Sequence, residues 1–124
     1  MNKLEKVNQL ISYLLEASPE YLPYCEQHPK NYTHQRVLLR GLMNIRNLEK
    51  RLTPAFYELQ NDFLSMEDQE KGIISAMDLP AVPLSPMISL WQDDITRLDA
   101  DAIVNAANSQ MIGCFIPCHS CIDK

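Results

Sequence analysis

Three cysteines and one histidine lie within eight consecutive residues near the end of the chain, in the order Cys114, Cys118, His119 and Cys121. Thiolate and imidazole groups are common zinc ligands, and a catalytic zinc keeps an open position beside three protein ligands. Cys114, His119 and Cys121 would form such a set, with Cys118 as a further candidate. The alternative is a group of buried thiols beside one hydrogen-bonded histidine, but this density of ligand residues favours a metal site.

The spacing of these residues does not identify the metal. Cys114, Cys118 and Cys121 also form the pattern C-x₃-C-x₂-C, which is typical of the iron–sulfur cluster in radical S-adenosylmethionine enzymes. Those enzymes continue for a long distance after the motif, and an aromatic residue often precedes their third cysteine, where this chain has Ser120. Metal analysis of the purified protein would separate zinc from iron.

The first two-thirds of the chain has the pattern of amphipathic helices, because its apolar residues recur every three or four positions. These apolar stripes cover residues 4–15, 32–48 and 56–66. Ser18-Pro19 and Thr53-Pro54 combine an N-cap residue with a proline at the first helical position. Gly41 lies inside the second stripe at a cost of about 1 kcal/mol relative to alanine, which indicates a close packing contact. Residues 65–68 are a candidate cap for a further short helix through Ile74.

The pattern changes near Asp78, where Pro80, Pro83 and Pro86 recur every third residue. A helix cannot continue through them, so residues 78–86 are predicted to be an extended connection. Two β-prone runs follow, at residues 87–91 and 102–106, and the second is typical of a buried parallel strand. Polar residues follow both runs, and the carboxyl ends of strands are where open α/β sheets bind ligands.

Composition and charge restrict the class of protein. The 124 residues are the size of one small domain, and the formal net charge of −5 argues against a nucleic-acid or polybasic membrane-surface binder. No apolar run approaches the roughly 20 residues of a membrane span, and no secretory signal is evident. The clustered cysteines make a poor disulfide framework. We therefore expect a cytoplasmic protein with no nucleic-acid or membrane partner.

Two further segments resemble the beginning of a macrodomain. Residues 90–98 read L-W-Q-D-D-I-T-R-L, and residues 101–109 read D-A-I-V-N-A-A-N-S. With G-C-F-x-P-x-H-x-C-I-D at residues 113–123, the chain resembles the zinc-dependent macrodomains of bacteria, which are ADP-ribosyl hydrolases. The resemblance is close over residues 87–123, and the helical region is similar to the N-terminal extension of those enzymes.

The resemblance implies an α/β protein with three parts. Residues 1–78 would be a helical N-terminal extension, residues 79–86 a proline-rich linker, and residues 87–124 the beginning of a three-layer α/β/α macrodomain. It also implies that Asp94, with Ile95 beside it, binds substrate by accepting a hydrogen bond from the adenine amino group. Without the resemblance, Asp94 would be interpreted as a solvated aspartate in a turn.

The resemblance also assigns the remaining site residues. Asn108 matches an asparagine near the distal ribose, as a substrate-binding and catalytic residue whose amide can both donate and accept; alternatively, it makes an Asx turn. Cys114, His119 and Cys121 match the zinc ligands, whereas Cys118 falls at a variable position. The zinc would orient the distal ribose or activate a water near its anomeric carbon.

The implied function is hydrolysis of the glycosidic bond that holds mono-ADP-ribose on a modified protein, with zinc as cofactor and a lipoylated carrier protein as a candidate substrate. Two features depart from the family: Asp93 replaces a glycine, and the chain ends at Lys124, before the glycine-rich phosphate loop. We therefore expect a truncated, frame-shifted or partial chain that is inactive alone. The alternative is a non-enzymatic helical interaction fragment with an incomplete metal motif.

Overall fold

The computed structural model describes residues 1–111 and 113–118, which form helices followed by short strands. The helices are α1 (Lys3–Ala17), α2 (Leu22–Glu26), α3 (Tyr32–Ile45) and α4 (Pro54–Lys71), and the strands are β1 (Ile74–Ser75), β2 (Ala81–Val82), β3 (Ser85–Ser89) and β4 (Leu98–Asp99). Single 3₁₀ turns cover Pro19–Tyr21, Ala76–Asp78 and Ile95–Arg97. The chain is therefore mixed α/β, as predicted. It divides into two compact units, residues 64–104 and the remainder.

The first unit has a helical core that follows the predicted apolar stripes. A capping box begins α1: the Asn2 side chain accepts from the Glu5 N–H at 2.9 Å, and the Glu5 carboxylate accepts from the Asn2 N–H at 2.7 Å. The buried apolar side chains of α1, α3 and α4 are Val7, Leu10, Ile11, Leu14, Leu38, Leu39, Leu42, Phe56 and Phe63. Their spacings follow the helical repeat, which places each set on one side of its helix. The predicted stripes are confirmed at these residues, whereas α3 ends at Ile45, before Leu48, and Val37 is exposed.

Helix α4 begins as predicted but continues further. The Thr53 hydroxyl accepts from the Phe56 N–H at 3.3 Å, which confirms the predicted N-cap. The separate short helix expected from Ser65 is wrong, because no glycine or proline interrupts the chain between Pro54 and Gly72. Gly72 ends the helix at φ +77°, with its N–H donating to the Asp68 carbonyl at 3.0 Å. Within the described ranges, no helix has the length and apolar character needed to cross a membrane.

The second unit contains two pairs of short strands. Strands β1 and β4 are parallel, with Ile74 opposite Leu98, and β2 and β3 form an antiparallel hairpin with a shift in register. The prolines exclude a helix from this segment, as predicted, but part of the extended backbone is paired in the hairpin. The predicted β run at residues 87–91 is confirmed in part, since β3 covers its first three residues. The domain boundary at residues 79–86 stays a prediction.

The predicted strand at residues 102–106 is wrong, because this segment has no regular structure and is exposed. The Val104 side chain is 91% exposed, and Ile103 is 58% exposed. Apolar β-branched residues are typical of a buried parallel strand, but such a strand also needs hydrogen-bonding neighbours. In the described part of the chain, β1 pairs with β4 and β2 pairs with β3, so this segment is paired with no strand.

Candidate functional site

Asp94 begins the 3₁₀ turn Ile95–Arg97, and its carboxylate is held by the turn that it caps. Its Oδ1 atom accepts from the Thr96 N–H at 3.0 Å and from the Thr96 hydroxyl at 2.8 Å. Its Oδ2 atom lies 3.6 Å from the Lys71 ammonium, and the side chain is 46% exposed. The carboxylate therefore keeps solvent-accessible acceptor capacity beside a fixed positive charge.

These contacts also favour the ionised form of Asp94. The hydrogen bond from the Thr96 side chain, then that from the Thr96 N–H, lowers the pKa of Asp94, and the charge of Lys71 acts in the same direction. Because the pKa is lowered in the folded chain, the contribution of this carboxylate to stability is complete above the pKa of an unfolded aspartate. The contribution is lost as the pH falls through the folded value.

Asp93 has a structural role that a glycine at this position would lack. Its Oδ1 atom accepts from the Asp94 N–H at 2.7 Å, and its Oδ2 atom forms an ion pair with Arg97. Arg97 also donates from Nε to the Gly72 carbonyl at 3.1 Å. Asp93 is not among the described residues with positive φ, so this backbone conformation needs no glycine. Ile95, the second predicted substrate-binding residue on this loop, is 41% exposed.

Asn108 is exposed and shapes its own loop in the other unit. Its Oδ1 atom accepts from the N–H groups of Gln110 and Met111, each at 3.0 Å. Its Nδ2 atom donates to the Gly113 carbonyl at 3.0 Å. These bonds close an Asx turn, which is the structural alternative that the sequence left open. One Nδ2–H remains outside these described bonds and is available for a ligand.

The cysteine segment is described only as far as Cys118. Cys114 is half-buried, whereas Cys118 is exposed, and the Cys118 thiol lies 3.6 Å from the Val37 carbonyl of α3. His119 and Cys121 lie outside the described residues. Among residues 1–111 and 113–118, no group of three or more histidine, cysteine or acidic side chains could hold a metal. The zinc ligands Cys114, His119 and Cys121 therefore stay a prediction.

Gly41 faces this segment from α3. A Cβ atom at Gly41 would lie 3.6 Å from the Cys118 Sγ atom and 3.9 Å from the Pro117 Cβ atom, which is ordinary van der Waals contact. The close packing contact predicted at Gly41 therefore exists, and it has room for one methyl group.

We expect Gly41→Ala to increase the free energy of unfolding by about 0.5–1 kcal/mol, because alanine is the better helix former and no atom must move. Urea unfolding followed by circular dichroism would measure it. Gly72→Ala is the matched control: nothing lies within 4 Å of its Cβ position, but φ is +77°, so alanine should destabilise the chain by about 1–2 kcal/mol. Destabilisation by Gly41→Ala would show that the packing here is tighter than described.

Sequence reasoning missed the residues that hold Asp94. Lys71 and Thr96 contact the Asp94 carboxylate, and Arg97 pairs with the preceding residue, Asp93. All of these residues lie in the unit of residues 64–104. The spacing D-x-T was the available signal for Thr96, since an aspartate commonly accepts from the N–H and side chain two residues later. Nothing in the local sequence indicates the contact of Lys71, because it lies 25 residues before Thr96.

The chain is similar in sequence to proteins named as ADP-ribose hydrolases. The chain is 40% identical over 126 aligned residues to a protein-ADP-ribose hydrolase of Treponema medium, covering 100% of this chain and 47% of that protein. It is 35% identical over 102 residues to a protein-ADP-ribose hydrolase of Staphylococcus aureus, covering 77% of this chain and 35% of that protein.

A shorter segment of the chain matches a third protein. Over 38 residues the chain is 62% identical to a probable bifunctional ADP-ribose hydrolase/ADP-ribosyltransferase of Fusarium oxysporum f. sp. cubense, covering 30% of this chain and 6% of that protein. No family model matches the chain. The chain spans about half the length of the Treponema relative and about a third of the Staphylococcus relative.

Proposed function

We propose that the chain is part of a zinc-dependent protein-ADP-ribose hydrolase, which removes mono-ADP-ribose from modified proteins. The observation that carries the proposal is the 40% identity to a protein-ADP-ribose hydrolase along the whole chain. In this proposal the chain provides helices and the first part of a three-layer α/β/α macrodomain. The enzyme would act in the cytoplasm, and a lipoylated carrier protein is a candidate substrate.

Asp94 would bind the adenine end of ADP-ribose. Thr96 occupies its Oδ1 atom, and Oδ2 lies beside Lys71 on a side chain that is 46% exposed. An ionised carboxylate is an acceptor only, so it suits the exocyclic amino group of adenine, which is a donor. Ile95 is exposed on the same turn and offers an apolar surface for the base.

Asn108 would orient the distal ribose. Its Oδ1 atom already accepts two backbone hydrogen bonds, and one of its two Nδ2 hydrogens is used by Gly113. The second hydrogen can donate to a ribose hydroxyl without loss of the turn. The loop would then be shaped by the same side chain that contacts the sugar, so a substitution at Asn108 would affect both.

Cys114, His119 and Cys121 would hold the zinc. Two thiolates and one imidazole are a chemically suitable donor set, and three protein ligands leave a position for substrate or water. When bound, zinc would supply Lewis-acid chemistry at the distal ribose or at the attacking water. In the reaction, the bond between the anomeric carbon and the modified side chain breaks. Water would supply the hydroxyl group on the released ADP-ribose, and its remaining proton would go to the released side chain.

A fusion protein tests this function. It joins residues 1–124 of this chain to the part of the Treponema medium protein that lies beyond the aligned region. We expect the purified fusion to release ADP-ribose from a mono-ADP-ribosylated protein, to lose this activity with a zinc chelator and to recover it when zinc is added. The intact Treponema protein is the positive control, and the 124-residue chain assayed alone tests the expectation that it is inactive.

A folded fusion that contains zinc but releases no ADP-ribose would contradict the proposal. That result would favour the alternative of a helical interaction module. Release that continues unchanged after the metal is removed would support the hydrolase and contradict its dependence on zinc.

A further inference from the structure

We propose that Lys71 and Arg97 are positioning residues of the adenine site, which hold residues 93–97 so that Asp94 presents its carboxylate to the base. We call residues 93–97 the capping loop. The adenine ligand in this inference rests on the proposed function, whereas the contacts that hold the loop do not.

Lys71, the last residue of α4, anchors the capping loop at Asp94 and Thr96. Its ammonium lies 3.6 Å from the Asp94 Oδ2 atom and donates to the Thr96 Oγ1 atom at 3.2 Å. The Thr96 hydroxyl thus accepts from Lys71 and donates its own hydrogen to Asp94 Oδ1, 2.8 Å away, as an acceptor-only carboxylate requires. Lys71 therefore helps to hold the Thr96 hydroxyl that fixes the carboxylate.

Arg97 anchors the other end of the capping loop. Its Nε atom donates to the carbonyl of Gly72 at 3.1 Å, and its Nη1 atom pairs with Asp93. Asp93 in turn accepts from the Asp94 N–H at 2.7 Å. Gly72 is the first residue after α4, and its φ of +77° turns the backbone there. Both anchors therefore join the loop to the end of α4, Lys71 by its own side chain and Arg97 through the carbonyl of the next residue, Gly72.

The two anchors act differently on the carboxylate of Asp94. Lys71 lies 3.6 Å from this carboxylate and is also paired, at 3.9 Å, with Asp68 on α4. Asp93 and Arg97 are paired with each other on the loop. Lys71 orients the carboxylate through charge and through Thr96, whereas Arg97 fixes the backbone through Asp93. Guanidinium makes both of its bonds in one plane, which an ammonium group cannot do.

Nuclear magnetic resonance of the 124-residue chain tests the role of Lys71 without any ligand. We expect Lys71→Met to raise the pKa of the Asp94 carboxyl towards the ordinary aspartate value and to shift the amide resonances of the capping loop. Lys71→Arg should retain the native values because it keeps the charge. Lys50→Met is the matched control, since the Lys50 ammonium donates to the Ala17 carbonyl, far from the loop in sequence.

The fusion protein tests the consequence for the base. We expect Lys71→Met to weaken ADP-ribose binding by about two- to fivefold, the range for loss of one exposed ion pair, with Lys50→Met unchanged. Arg97→Lys should also weaken binding and shift the loop amides, and this second variant decides the question if Lys71→Met does not fold.

Three results would overturn parts of this inference separately. Identical Asp94 titration curves in Lys71→Met and Lys50→Met would exclude Lys71 as a positioning residue. Unchanged loop amides in Arg97→Lys would exclude Arg97. A fusion that binds no ADP-ribose, in a protein whose Asp94 titration responds to Lys71→Met, would support the anchors and contradict the proposed adenine site.

Discussion

Replacement of Cys121 by serine should remove zinc from the protein, whereas replacement of Cys118 by serine should leave its zinc content unchanged. The resemblance places Cys121 among the ligands with Cys114 and His119, and loss of one of three ligands leaves too few protein donors for a stable site. The Cys118 thiol instead lies against the Val37 carbonyl, at 3.6 Å. A serine hydroxyl can donate to the same carbonyl.

The measurement is elemental analysis of chains purified under reducing conditions and loaded with zinc. We expect about one zinc per chain in the native protein and in Cys118→Ser, and almost none in Cys114→Ser, in Cys121→Ser or in a variant that lacks the His119 imidazole. Equal zinc loss from Cys118→Ser and Cys121→Ser would contradict the ligand assignment. Stoichiometric iron with sulfide, and a brown colour, would instead support the C-x₃-C-x₂-C interpretation.

The helices were predictable because their signal is local. A stripe such as Val7, Leu10, Ile11 and Leu14 repeats with the period of the helix, and these four side chains are buried. The start of α4 was predictable from Thr53 and Pro54, and its true end from Gly72. The extra cap expected at Ser65 was wrong because a serine is also tolerated inside a helix when its neighbours are good helix formers.

Strands were less predictable because their partners are distant in sequence. Parallel strands β1 and β4 are two residues long and pair across more than twenty residues, so neither has a local pattern. The run at residues 102–106 has the composition of a buried strand, but composition does not provide the neighbour that a strand requires.

The candidate site residues that carry a motif stay predictions. Asp94, Ile95 and Asn108 follow from the resemblance, and the structure places each of them on an exposed loop. The contacts that hold Asp94 in position were less predictable. Arg97 lies inside the quoted motif, but its bond to the Gly72 carbonyl is tertiary, and Lys71 has no motif of its own. Lys71 contacts Thr96 from 25 residues away in the sequence, so a local motif does not contain both partners.

Asp94→Ala in the fusion protein should weaken ADP-ribose binding by about ten- to a hundredfold, which corresponds to loss of a hydrogen bond to a charged group. Thr96 is the main cause of the lowered pKa that keeps this carboxylate ionised. Alanine provides no acceptor for the adenine amino group. Isothermal titration calorimetry measures the affinity directly. Binding should also weaken as the pH falls through the pKa of Asp94, because the protonated carboxyl group is the poorer acceptor.

Asp94→Asn distinguishes recognition of adenine from support of the turn. Asparagine is an equally good cap, so its Oδ1 atom can still accept from Thr96, but its amide group presents a donor where Asp94 has its Oδ2 atom. If Asp94 acts only as a cap, Asp94→Asn should bind ADP-ribose normally; if it accepts from adenine, the two donors should oppose each other and binding should fail as in Asp94→Ala. Native affinity in both variants would contradict the assignment and move adenine recognition to another acceptor, of which Asp93, its neighbour on the same loop, is the first to examine.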